Sequence, residues 1–136
     1  MEDPRARDRL FTQLRNAHVA SPVFLTGDWH ATFVNDPQAR PCAAGRPDLA
    51  TEIVTPAITT GGDATPYGPY DGPRIPHDPH IRSFEGDRRG YVLATLRAGH
   101  LRLDLRFAER VSDPDARTET AKSFVVDDRV PGARAI

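Results

Sequence analysis

The chain is 136 residues long, the size of one modest domain, and only 38% of it is hydrophobic. Its 18 basic and 19 acidic side chains nearly cancel, which argues against a nucleic-acid or anionic-membrane surface. No run approaches the ~18–20 apolar residues of a membrane span. Cys42 stands alone, which excludes an internal disulfide or a paired-cysteine zinc site. No apolar stretch of a secretory signal follows Met1. The 13 prolines and 10 glycines outnumber the basic residues, so an unusual share of loop is expected.

Residues 5–17 read as an amphipathic helix, with Ala6, Leu10, Leu14 and Ala17 on one face, Phe11 widening the stripe, and Pro4 suited to the first turn. Val23-Phe24-Leu25-Thr26 is a nearly all-apolar run, expected as a strand buried on both faces in a sheet interior. Residues 35–47 read as loop, and 50–58 as a second strand centred on Ile53 and Val54. Residues 59–78 are dense in Pro and Gly but contain Tyr67 and Tyr70, which predicts a long ordered loop. Residues 91–96, a turn at 97–100, and the alternation of Leu101, Leu103, Leu105 and Phe107 with Arg102, Asp104 and Arg106 predict a hairpin. Residues 123–126 offer one more strand, and the tail beyond 129 is expected to be loose.

Gly27-Asp28-Trp29-His30 is the sharpest chemical feature. In extended backbone Asp28 and His30 project to one side, and a carboxylate with an imidazole suits divalent and trivalent metals. Gly27 is expected to permit a tight turn beneath them, and Trp29 to belong to the core. With 14 Asp and 5 His, about one such pair arises by chance in every two chains of this make-up. His77-Asp78-Pro79-His80 repeats the spacing inside the proline-rich region, where a turn with solvated histidines is the simpler reading. Asp87-Arg88-Arg89-Gly90 reads either as a solvated charge run or as Arg forks that cap a loop or hold a phosphate. Seventeen of the eighteen basic residues are Arg, Lys122 being the exception, which fits coding bias as well as function. Cys42 has no activating neighbour. From the residues alone, the reading ends at half of a metal site.

The order of segments resembles the C-terminal part of the PhoD-like alkaline phosphatases, a branch of the metallophosphoesterases. The matching stretches are Ala6 to Leu10, the block from Val23 through Gly27-Asp28-Trp29-His30, and Ala50 to Thr59. They continue with Pro79-His80-Ile81-Arg82, Arg88 to Val92, and the region of Thr118 to Val126. The resemblance implies an α+β fold, a partial αββα sandwich made mostly of strands with an N-terminal helix and long loops, across residues 1–136. It implies hydrolysis of phosphate mono- or diesters at a cluster of iron and calcium ions, with Asp28 and His30 as metal ligands. No catalytic or substrate-binding residue is assigned by it.

The family's upstream aspartates, ligating cysteine and asparagine motif have no counterpart here, and Cys42 lies after the Gly-Asp-x-His block. The chain is therefore expected to be the back portion of a larger domain, from a truncated or split gene or a late start. A separately encoded N-terminal half is the partner this implies. Secretion by a twin-arginine signal is the family habit. A non-catalytic remnant and a small metal-binding module, the latter on Asp28/His30 or His77/His80, stand as alternatives.

Overall fold

A computed structural model describes residues 4–38, 48–63 and 75–136. Its core follows from the alternation in the C-terminal half. β5 (Gly90–Arg97) and β6 (His100–Ala108) form the expected hairpin, in register from Gly90↔Phe107 to Arg97↔His100. The turn is tighter than the four residues expected: only Ala98 and Gly99 lie between the strands, and Gly99 takes φ 89°. Leu103, Leu105 and Phe107 are essentially fully buried, each stabilising the fold by roughly 1.5–3 kcal/mol.

β7 (Thr118–Asp127) pairs antiparallel with β6 and buries Phe124 and Val126 on the same side. It extends well beyond the four residues expected. β8 (Arg134–Ala135) then pairs with β7, so the tail is not loose. The second sheet thus has the order β5-β6-β7-β8.

The first sheet comprises β1 (Val23–Thr26), β2 (Thr32–Asn35), β3 (Thr51–Val54) and β4 (Ile81–Glu85), in the order β1-β3-β2-β4. β1 and β3 run parallel, and the other pairings are antiparallel. Val34 and Ile53 face Leu103, Leu105, Phe107, Phe124 and Val126, so the two sheets enclose one core. Phe33 and Phe84 meet on the outer face, with ring centroids 4.8 Å apart.

β1 corrects an expectation. Among the described residues it pairs only with β3 and forms a sheet edge, with Leu25 66% exposed. Its apolar run is that of an interior strand, yet among the described residues no strand pairs with its second edge.

α1 (Pro4–Asn16) forms as expected, but its buried face is different. Phe11 is the buried residue and meets Phe24 edge-on at 6.0 Å, flanked by half-buried Arg7 and Leu14, while Ala6 and Leu10 are exposed. Phe11, at the margin of the expected Ala6-Leu10-Leu14-Ala17 stripe, carries the largest apolar side chain of the helix and so sets its rotation. His18, at φ 54°, ends the helix, with the Val19 N–H donating to the Leu14 carbonyl and the His18 N–H to that of Arg15.

Asp36 explains the ordered tail. It is fully buried, accepts the Ala133 N–H at 2.8 Å, and is paired with Arg82, which also reaches Asp48 at 3.0 Å. Burial pushes the Asp36 carboxyl above its usual range, against the pull of Arg82 and the Ala133 amide. Arg82→Met is expected to cost about 2 kcal/mol near pH 7, below the cost of breaking a fully buried pair because Arg82 is partly solvated. A carboxyl with a raised folded-state pKa favours the native state below its unfolded value and loses that contribution as pH rises. The deficit of Arg82→Met is therefore expected to shrink towards pH 4, as measured by urea midpoints across that range.

Candidate metal-ligand site

The carbonyl of Thr26, at the end of β1, accepts both the Thr55 N–H at 2.9 Å and the Thr55 hydroxyl at 3.2 Å. The Thr26 hydroxyl in turn donates to the Ile53 carbonyl. The chain therefore leaves the sheet from a fixed point. Four residues later it re-enters, with Ala31 and Thr32 almost wholly buried. Asp28, Trp29 and His30 make up the turn between.

That turn is not extended, which corrects the geometry expected from the spacing. Asp28 has φ 73° and His30 φ 59°, both in the left-handed region. Such backbone costs about 1–3 kcal/mol at a non-glycine residue and persists where the surroundings impose it. Gly27 does not carry the turn: its φ is not positive, and a Cβ there would meet only the Thr55 hydroxyl at an ordinary 3.5 Å. Trp29 is 55% exposed rather than part of the core.

Asp28 is exposed and His30 half-buried. Neither side chain has a hydrogen-bond or ion-pair partner among the described residues. The His30 backbone does: its carbonyl accepts Nη1 of Arg89 at 3.0 Å. Arg89 is 3% exposed, so Asp87-Arg88-Arg89-Gly90 is no solvated charge run. Arg88 lies over the Phe107 ring at 4.5 Å and pairs with Glu85 and Glu119. Burial works to raise Glu85, but the Asp87 amide and Arg88 outweigh it and hold that carboxyl below its usual range. Of the two sequence readings, loop capping by Arg forks is the one found.

Among the described residues, no group of three or more His, Cys, Asp or Glu side chains gathers as a metal site. His77 and Asp78 do not join Asp28 and His30 in one. They sit on a short 3-10 turn (Ile75–His77) and the bend after it, where the Ile81 N–H donates to the Asp78 carbonyl. His80 is half-buried rather than solvated: its carbonyl accepts the Asp36 N–H, and its buried Nδ1 has no hydrogen-bond partner. Cys42, Tyr67 and Tyr70 lie outside the described residues.

A family model for PhoD-like phosphatases matches residues 3–105. The chain belongs to that family. Alkaline phosphatase D of Bacillus subtilis (strain 168) is 28% identical over 133 residues, a span covering 98% of this chain and 23% of that protein. A solved structure, described as that of PhoD, superposes with a TM-score of 0.84 at 28% identity, covering 98% of this chain and 25% of the other. The chain thus spans about a quarter of the length of the PhoD-type relatives it matches. The fold is accordingly that of a portion of PhoD, mostly β-sheet with a single α-helix among the described residues.

The bond from Arg89 to the His30 carbonyl has no distinctive local mark in the sequence, where Asp87-Arg88-Arg89-Gly90 suits a solvated run as well as Arg forks. An Arg directly before a strand-opening Gly was the available signal, but exposure and burial of an Arg pair look identical in sequence.

Proposed function

We propose that this chain is the C-terminal, ligand-bearing portion of a phosphoester hydrolase of the alkaline phosphatase D type, acting on phosphate mono- or diesters. Asp28 and His30 are its metal ligands. The observation that carries this reading is an unpartnered carboxylate and imidazole, held in paired left-handed backbone at the end of a strand. Strained non-glycine backbone concentrates at functional sites.

The donor set fits an ion in part. The carboxylate oxygen suits calcium, and the carboxylate and imidazole together suit iron, the two metals that the family resemblance implies. Two donors nevertheless fill only two of the four or more positions such ions take. Bound metal would polarise a phosphoryl oxygen and stabilise charge developing on it. The chain's own contribution is to fix the His30 carbonyl through Arg89, and so present the His30 and Asp28 side chains from a turn anchored in the sheet.

A further observation favours action as one part of a larger unit, with an N-terminal half supplying the remaining ligands. The edge of β1 continues into a groove with Val23, Leu25, Ala94 and Leu96 on its apolar side and Arg97 and Asp127 at its rim, with Leu96 79% exposed. Apolar surface of this kind next to a strand edge marks a surface for association. The test is hydrolysis of a chromogenic phosphate ester, with added calcium and iron, by this chain co-expressed with the N-terminal part of a PhoD-type phosphatase. Activity in the pair, absent from either half, is expected; inactivity of the pair, with both halves soluble and associated, counts against the proposal.

A further inference from the structure

We propose that Arg89 is a positioning residue that sets the left-handed Asp28–His30 turn. Its bearing on hydrolysis rests on the reading of Asp28 and His30 as ligands, but its structural role can be tested apart from that reading.

Arg89 is 3% exposed and its buried Nε has no hydrogen-bond partner among the described residues, so the bonds made by its other nitrogens must offset the burial of the charge. One of those bonds goes to the His30 carbonyl, 59 residues away in sequence, at 3.0 Å. The other arm of the fork, Nη2, lies over Gly61 so closely that a Cβ there would stand 2.6 Å from it. Gly61 itself takes φ 86°, and its loop is tied to the β6–β7 loop by Asp63, whose carboxylate accepts the Val111 and Ser112 N–H groups.

Arg89 cannot drift as a backbone unit either. Its carbonyl accepts the Ala108 N–H at 2.9 Å, and the next residue, Gly90, donates to the Ala57 carbonyl at 3.1 Å. The guanidinium is therefore a rigid strut between the two sheets, with one arm on the His30 carbonyl and the other against Gly61. A lysine ammonium is a point donor and cannot span both positions. The conformation of Asp28 and His30 needs such an external constraint, since neither side chain has a partner of its own among the described residues.

Trp29, the single tryptophan of the chain, lies between the two ligands and reports on the turn directly. Time-resolved anisotropy of Trp29 in the full chain is expected to show a larger nanosecond motion in Arg89→Lys. Gly61→Ala, which displaces the guanidinium without changing Arg89, is expected to do the same. Arg88→Lys, which perturbs the neighbouring contacts with Phe107, Glu85 and Glu119, is expected to leave Trp29 as in the parent. Manganese(II) affinity should fall by about 10–100-fold in Arg89→Lys, the usual consequence of losing a group that orients a ligand. Unchanged Trp29 motion in both Arg89→Lys and Gly61→Ala, with cooperative melting retained, would overturn the assignment. Manganese affinity indifferent to Asp28→Asn would instead sink the ligand reading, leaving the Trp29 result to decide on Arg89.

Discussion

Asp28→Ala, assayed in this chain complemented by the N-terminal part of a PhoD-type phosphatase, is expected to lower phosphoester hydrolysis on the order of 100-fold or more. Loss of an outer group that merely orients a ligand typically costs 10–100-fold in metal affinity or activity, and removal of a ligand should exceed that. His30→Ala is expected to behave alike. Neither substitution should destabilise the fold by much, because Asp28 is exposed and neither side chain has a partner among the described residues. Each replaces a left-handed Asp or His by alanine, which tolerates that backbone slightly less well, so only a small loss of stability is expected. Steady-state hydrolysis alongside a thermal melt of the isolated chain separates the two effects. A fall in activity with a nearly unchanged melting temperature is the expected pattern. Activity within a few-fold of the parent would remove Asp28 from the ligand set.

Gly90→Ala is expected to be the most destabilising of the single substitutions considered, at about 3 kcal/mol or more, with a fall of roughly 10 °C in melting temperature. A Cβ at Gly90 would stand 2.0 Å from the Arg106 carbonyl oxygen and 2.8 Å from the Phe107 Cα. Both are backbone atoms of the neighbouring strand, so no side-chain rotation relieves the clash. β5 would have to move off β6 at the Gly90↔Phe107 pair, and Arg89 would move with it. Gly99→Ala is the informative contrast. Its φ of 89° disfavours alanine, but nothing lies within 4 Å of the added Cβ, so a loss of only about 1 kcal/mol is expected. Chemical denaturation of both variants checks the ranking, and a smaller loss for Gly90→Ala than for Gly99→Ala would contradict it.

The hairpin was legible because Leu101, Leu103, Leu105 and Phe107 alternate with charged residues over a full strand, and a glycine marks the turn. β2 and β4 were not read as strands. Thr32–Asn35 is too short to show a period, and Ile81–Glu85 follows a proline-rich stretch that reads as loop. The tail shows no local sign of order, because what orders it is a buried carboxylate 97 residues away, Asp36, accepting the Ala133 N–H. At the candidate site, Asp28 and His30 stood out by residue type and spacing alone. The left-handed backbone leaves only a weak mark, since Asp and His adopt it more often than most residues but far less than glycine. Arg89 was hidden for a related reason: a clamp on a carbonyl 59 residues away leaves no local pattern.

The most direct test of the central claim is titration of the ¹⁵N-labelled chain with manganese(II), followed by paramagnetic broadening of its amide signals. Broadening centred on residues 28–31 at the lowest metal ratios, and lost in Asp28→Asn, is the predicted result. Broadening centred on His77, Asp78 and His80, or unaffected by Asp28→Asn, would contradict the assignment of Asp28 and His30 as metal ligands.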